Sequence, residues 1–445
     1  MKKQAWVTIL VGLLFFYLCL YSPAVVNAHS DATSFKLPNG LRVILSADDN
    51  IEATCVLLYH LTGVRDDPPE IQGASHLYQN LMVLGTQTFD NFHRILFIKQ
   101  NGGLSERIVD YDYSIFYQVI PASELDNALW LESERITSLR LNDRNITIEK
   151  NNLYTKNYRL VNSSVHVRAS NWIKAKLFQG SIYETPIYGD LEKIRGFNNQ
   201  AVRNLYTNFR NLSNIIMVIT GKFNQPELIK SINKYFGSLS TLPGGAKSAK
   251  SYTTLGPRDK FETENWMVEN LSDPFILYGI RGPAKFNLDH LYFDFIRYYL
   301  LDERISSLET ELNQERNLNI SISYEFLDYF EASALIVKIS AKHRPNLERA
   351  RYYLNRKLEA LLKGTLSGTD INNTKTLMEL DFMKSMTTLE SRGAFLAESY
   401  YFTGELKGEQ NHLNRIRKIT TYDIFRIAQK YLKKENQVNL NVYSK

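Results

Sequence analysis

Along residues 73 to 86, GASHLYQNLMVLGT, a histidine stands at 76, a glutamine at 79 and an asparagine at 80. On a helix, positions three and four apart share a face, so these three side chains would converge. A zinc hydrolase uses that spacing as H-x-x-E-H, with two imidazoles on the metal and the carboxylate as general base for the bound water. Here only the first imidazole, His76, is present. Gln79 cannot take a proton near neutral pH. Asn80 offers an amide where zinc asks for thiolate, imidazole or carboxylate.

No other residue set takes over that chemistry. The remaining histidines, at 29, 60, 93, 166, 290, 343 and 412, have no spacing that would place two on one face. Cys55 is alone in a strand-like segment and reads as a small buried hydrophobe. Cys19 sits in the N-terminal apolar run. Serines and carboxylates are plentiful, yet they form no recognisable nucleophile motif.

The elements around this stretch organise it. The segment FKLPNGLRVILS gives two short strands around Pro38-Asn39-Gly40, a hairpin signal. TCVLLYHLTG reads as a buried strand, and Leu77, Leu81 and Leu84 recur at helical spacing. RIVDYDYSIFYQVIP alternates as a strand would. ASELDNALWLESERITSL opens with a Ser-x-x-Asp sequence suited to an N-cap and continues as an amphipathic helix.

A turn-rich stretch over 240–260, STLPGGAKSAKSYTTLGPRDK, reads as a linker. Behind it the order repeats. NWMVENLSDPFILYGIRGP is strand-like, LDHLYFDFIRYYLLDERISSLETELNQE is helical, NISISYEF and ASALIVKISAK are strands, and two or three long helices follow. With 445 residues the chain is too long for one ordinary core. The expectation is an α+β protein of two similar domains, 29–240 and 261–445 with the linker at 241–260, each a mainly antiparallel sheet with helices packed on one side.

The first residues, MKKQAWVTILVGLLFFYLCLYSPAVVNAHS, have the layout of a secretory signal, with cleavage after Ala28 and residues 1–28 removed. An uncleaved anchor is the alternative. Nothing after residue 30 is apolar for long enough to span a membrane. The expected location is therefore periplasmic or extracellular, with no membrane attachment once the signal is cut. Loss of Cys19 with the signal would exclude an internal disulfide. Removing Lys2 and Lys3 lowers the formal charge from +6 to +4, and basic runs such as NRIRK at 414–418 read as solvated helix faces rather than a nucleic-acid surface.

At this point the chain resembles the pitrilysin/insulinase family of zinc peptidases. The resemblance rests on LPNGLRVIL, TGVRDDPPEIQGASHLYQNLMVLGT, the NGG at 101–103, the long segment PIYGDLEKIRGFNNQAVRNLYTNFRNLSNIIMVITGKFNQPELIKSINKYFGSL, and ITTYDIFRIAQKYL. It implies two-domain peptidase architecture. It also implies that His76, Gln79 and Asn80 stand at the positions of ligand, base and ligand, with the third ligand falling on Asn157 by the family's spacing. A shift of a few residues brings Glu149 into that place instead. His76 is then expected to be a hydrogen-bonded interior histidine, with Asn157 a candidate partner.

Many bacterial members of the family work as two-chain assemblies in which a zinc-free chain supplies an Arg and a Tyr to hold substrate. Alignment places Ser307 and Ile320 at those positions, with Arg304 one helical turn earlier, and Glu106 where the family has an Asn on the substrate-pairing edge strand. The resemblance therefore implies a catalytically degenerate subunit that pairs with a zinc-bearing homologue to form a peptide-degrading chamber. No cofactor is expected, and zinc would be present only if the ligand reading is wrong. A homodimer, a peptide-binding protein that does not cleave, and a residual zinc metalloendopeptidase are the alternatives.

Overall fold

The computed structural model describes residues 32–445 apart from 90, 241–245, 249–251, 306–307 and 316. The expected signal and Ser307 lie outside the described residues. The first sheet contains β1 (Thr33–Lys36), β2 (Arg42–Ala47), β3 (Ala53–His60), β4 (Leu104–Val109), β5 (Ser114–Pro121) and β6 (Ile215–Gly221), in the spatial order β1-β2-β6-β3-β5-β4. The second contains β7 (Glu262–Val268), β8 (Phe275–Gly282), β9 (Ile320–Asp328), β10 (Ser333–Ala341) and β11 (Gln437–Ser444), in the order β7-β11-β8-β10-β9.

The two sheets repeat one plan. Each is antiparallel except where its last strand in sequence inserts beside its first long strand, β6 beside β2 and β11 beside β7. The hairpin at Pro38-Asn39-Gly40 forms with Lys36 opposite Arg42. Gly40 adopts φ +96°, and the Asn39 carboxamide accepts from Leu41 N at 3.3 Å while donating to Phe236 O at 2.6 Å.

The first half carries α1 (Tyr78–Leu81), α2 (Asn91–Gln100), α3 (Leu125–Thr137), α4 (Asp143–Ser163), α5 (Val165–Leu177), α6 (Asn199–Phe209) and α7 (Gln225–Phe236). The second carries α8 (His290–Leu301), then α9 (Arg344–Lys363), α10 (Gly368–Ser385), α11 (Leu389–Thr403), α12 (Gly408–Arg417) and α13 (Thr421–Tyr431). One face of the first sheet packs on α3 and α7 through Leu129, Ile136, Leu228, Ile232 and Phe236. One face of the second packs on α8, α9 and α13.

Each sheet carries helices of its own half on one face, as expected. The second face of each is sealed by a helix from the other half. Leu389, Leu396, Ala397 and Tyr401 of α11 lie on Ile44, Leu57, Tyr59 and Val218 of the first sheet. Ala169, Ile173 and Leu177 of α5 lie on Leu277, Ile336 and Leu440 of the second. Gly279 permits that approach: a Cβ there would come within 2.8 Å of Leu177 and 3.0 Å of Ile173.

Polar contacts across the junction are buried or half-buried. Arg392 on α11 reaches Asp48 at 3.1 Å with both side chains almost wholly buried. Arg65 binds Asp112 at 2.7 Å and Glu331 at 3.1 Å. Thr220 donates to Leu389 O at 2.8 Å.

Three local expectations need correction. RIVDYDYSIFYQVIP is a hairpin, β4 and β5, turning over Asp110–Tyr113, because Val109 and Ser114 pair across the turn. Ser123 does not cap α3: a 3-10 turn over Ala122–Glu124 leads into the helix, and the Asp126 carboxylate is drawn outward to Ser231 at 2.6 Å and Tyr235 at 2.5 Å. The long helical run after 288 ends at Leu301 and resumes as short irregular turns before β9.

Candidate functional site

The GASHLYQN stretch is less regular than its spacing suggests. His76 lies on a 3-10 turn, Ala74–Leu77, which runs into the single α-turn of α1 carrying Gln79 and Asn80. Gly73 starts it at φ +96°, and a Cβ there would sit 2.5 Å from the Tyr188 carbonyl group. The Asp67 carboxylate holds the turn from below, accepting from Gly73 N at 2.8 Å, Ser75 N at 3.0 Å and Ser75 Oγ at 2.5 Å. Burial pushes its pKa up to about 7 in spite of those donors.

His76 is half-buried beside the Val109 backbone, and the expected bond to Asn157 does not form, the Asn157 carboxamide being turned to Leu153. Its Nδ1 is buried with no partner. Burial, helped by Lys156, lowers its pKa to about 4, so the ring is neutral at physiological pH. The unfolded ring titrates near 6.5, so the folded state resists a proton that the unfolded state accepts. Stability contributed by neutral His76 is complete above about pH 6.5 and is lost as pH falls toward about 4, on the order of 3 kcal/mol in total. Replacing His76 by Phe should flatten that part of a stability–pH profile measured by urea unfolding; an unchanged profile would refute the assignment.

Asn80 is exposed and already engaged on both ends of its carboxamide. Its Nδ2 donates to Glu149 Oε2 at 2.8 Å, and its Oδ1 accepts from Arg107 at 3.2 Å. The other Glu149 oxygen accepts from Asn152 at 3.2 Å. Thus α4 brings Glu149 across from Asn80. Asn157, two turns further on, points inward but turns back on its own helix, donating to Leu153 O at 2.9 Å. Gln79 is half-buried beside them.

These groups do not fit a zinc ion. Three of the four positions are amides, Asn80 engaged at both ends of its carboxamide, and the guanidinium of Arg107 stands where a metal's charge would be needed. Among the described residues no three His, Cys, Asp or Glu side chains are grouped to hold a metal. Of these neighbours, Asp67 and Arg107 escaped the sequence reading. Arg107 could have been suspected, since it alternates with Glu106 on an edge strand.

The other candidate positions lie apart. Glu106 is exposed on β4, the edge of the first sheet, in register with Tyr117. Ile320 is a core residue that opens β9, its N–H and C=O both bound by the Asn313 carboxamide at 2.8 Å. Arg304 is bound by Asp302 at 2.6 Å and Asp381 at 2.7 Å, so its guanidinium is already committed.

Comparison with known proteins fits this geometry. Residues 42–190 match the model of insulinase, peptidase family M16, and residues 196–378 match that of the peptidase M16 inactive domain. The chain is 19% identical to the zinc protease PqqE of Helicobacter pylori, over 93% of this chain and 92% of that protein. A solved protease from Helicobacter pylori superposes with a TM-score of 0.84 at 18% identity, covering 92% of this chain and 99% of that one. A peptidase M16 inactive domain from Pseudomonas fluorescens superposes with a TM-score of 0.81 at 12% identity, covering 94% and 98%. Matched by family models through both halves, and folded as two similar sheet-and-helix domains, the chain belongs to the insulinase family, peptidase family M16.

Proposed function

We propose that this chain is a non-catalytic M16 subunit that pairs with a zinc-bearing homologue and encloses with it a chamber for degrading peptides. The observation that carries this reading is the Arg107–Asn80–Glu149 chain of hydrogen bonds across the family's ligand positions. It replaces a metal's ligands with a self-satisfied polar link, while the cores and the interleaved helices of the scaffold are kept. The partner would supply both the metal and the base. In this reading the N-terminal leader-like run directs the chain out of the cytoplasm, and the pair works there. Among the described residues no helix is long and apolar enough to cross a membrane.

The β4 edge favours a second reading, in which the chain holds extended peptides without cutting them. That strand ends the first sheet, and its Leu104, Glu106 and Ile108 side chains are exposed on the outward-alternating positions. A peptide could add there by backbone pairing. Co-expression with a zinc-bearing M16 chain from the same genome, followed by sizing, separates the readings. The subunit role predicts one co-eluting peak whose peptidase activity is lost with chelator. Separate elution, with unstructured peptide bound by the isolated chain, would replace it by the second reading.

A further inference from the structure

Behind the site helix, α2 and α3 bury two guanidinium groups against one carboxylate. Arg94 and Arg135 are 5% and 2% exposed, and both approach the same atom, Glu132 Oε1, at 3.6 and 3.0 Å. Gln118 donates to that oxygen too, at 2.8 Å. Arg135 Nε and Nη1 and Arg94 Nε are left buried without hydrogen-bond partners, and Arg135 Nη2 has only its ion-pair approach to Glu132. The Arg135 guanidinium lies 5.0 Å over the Phe116 ring, which attracts its charge but accepts no conventional hydrogen bond.

Among the described residues, Glu132 and the cavity-lining Glu134 set two carboxylates against three guanidinium groups, an excess of one cation. Arg107 on β4 adds a third cation, and burial together with Arg135 lowers the Arg94 pKa to about 9. Unpartnered acceptors are also present, namely Glu132 Oε2, Gln118 Oε1 and His60 Nε2. Water could bridge donors to those acceptors, but it would leave the positive charge uncancelled in a buried setting, which is costly.

A cavity opens onto both arginines, walled by Met82, Gly85, Thr86, Phe89, Leu131 and Glu134. It has room for a single small species. Glu134 on the wall is already bound by the hydroxyls of Thr88 and, at 2.8 Å, Ser138. A space of this size suits a small monovalent anion. We propose that this cavity binds one halide-sized monovalent anion, chloride in ordinary salt, between Arg94 and Arg135. The ion completes the hydrogen bonding of both guanidinium groups and braces α2 and α3 behind the β4 edge.

The test compares thermal unfolding of the full chain in sodium chloride, sodium bromide and sodium gluconate at one ionic strength, gluconate being too large to enter. The halides should raise the midpoint by about 2–4 °C over gluconate. Crystals grown in bromide should show an anomalous peak between the two arginines. Arg94→Met should abolish the halide difference; if that variant does not fold, the wild-type salts and the bromide map decide. Equal midpoints in the three salts, or a bromide map empty at this cavity, would overturn the proposal, leaving water as the occupant.

Discussion

Asn80→His is expected to turn this chain into a zinc-binding protein. The Asn80 carboxamide lies 2.8 Å from Glu149 Oε2, so an imidazole at that position would meet a carboxylate already supplied by α4. His76 adds a neutral ring with a buried, unpartnered Nδ1. Two imidazoles and a carboxylate make a catalytic-type zinc ligand set. Wild-type protein should carry about a tenth of a zinc per chain or less, and the variant about one, by elemental analysis after dialysis. Adding Glu149→Gln should remove the metal again. Arg107 opposes the ion by its charge, so Asn80→His with Arg107→Gln should bind more tightly than Asn80→His alone. Turnover would further require Gln79→Glu to restore a base. Failure of every one of these variants to bind zinc, while folded, would mean that His76 and Glu149 cannot share a metal.

The second large effect is expected at the junction of the two halves. Arg392→Ala leaves the Asp48 carboxylate buried under α11 without the cation that faces it, and breaking such a pair on one side costs about 3–5 kcal/mol. The loss should appear in urea unfolding as a lower midpoint. Because α11 seals the first sheet and α5 seals the second, weakening one contact loosens both halves, and the transition should stay a single step. Removing both partners, Asp48→Ala with Arg392→Ala, should cost less than the sum of the two single changes. A cost below about 1 kcal/mol for Arg392→Ala would show that the pair is not buried in solution.

Much of this architecture was legible in the sequence because local chemistry and global fold agree there. The Pro38-Asn39-Gly40 hairpin, the buried strand β3 and the second-half strands β8 and β10 announce themselves by turn residues and apolar runs. Strand β11 did not. Its alternate residues Gln437, Asn439 and Asn441 are polar, as on a solvated face, yet Gln437 and Asn441 are buried and bound to Leu432 O and to Asn265 and Arg351. The reciprocal sealing by α5 and α11 was also hidden. An apolar stripe on a helix states that something is buried, and says nothing about which sheet lies against it.

At the site, the residue types were readable and the contacts were not. The resemblance to the family, through its ligand spacing, put Asn157 at the third ligand position, and Asn157 does share the inward stripe of α4. Side-chain reach set the contacts: Glu149 extends to Asn80, whereas the shorter Asn157 finds the Leu153 carbonyl one turn back. The Asp67 brace was invisible because its partners, Gly73 and Ser75, are set by a turn whose geometry depends on the positive φ of Gly73.

The most direct test of the central claim is the zinc content of the untagged, purified chain after dialysis against metal-free buffer. A non-catalytic subunit whose ligand positions are closed by Asn80, Glu149 and Arg107 should retain essentially none. Close to one zinc per chain, lost on His76→Ala, would contradict the account and return this protein to the active peptidases of its family.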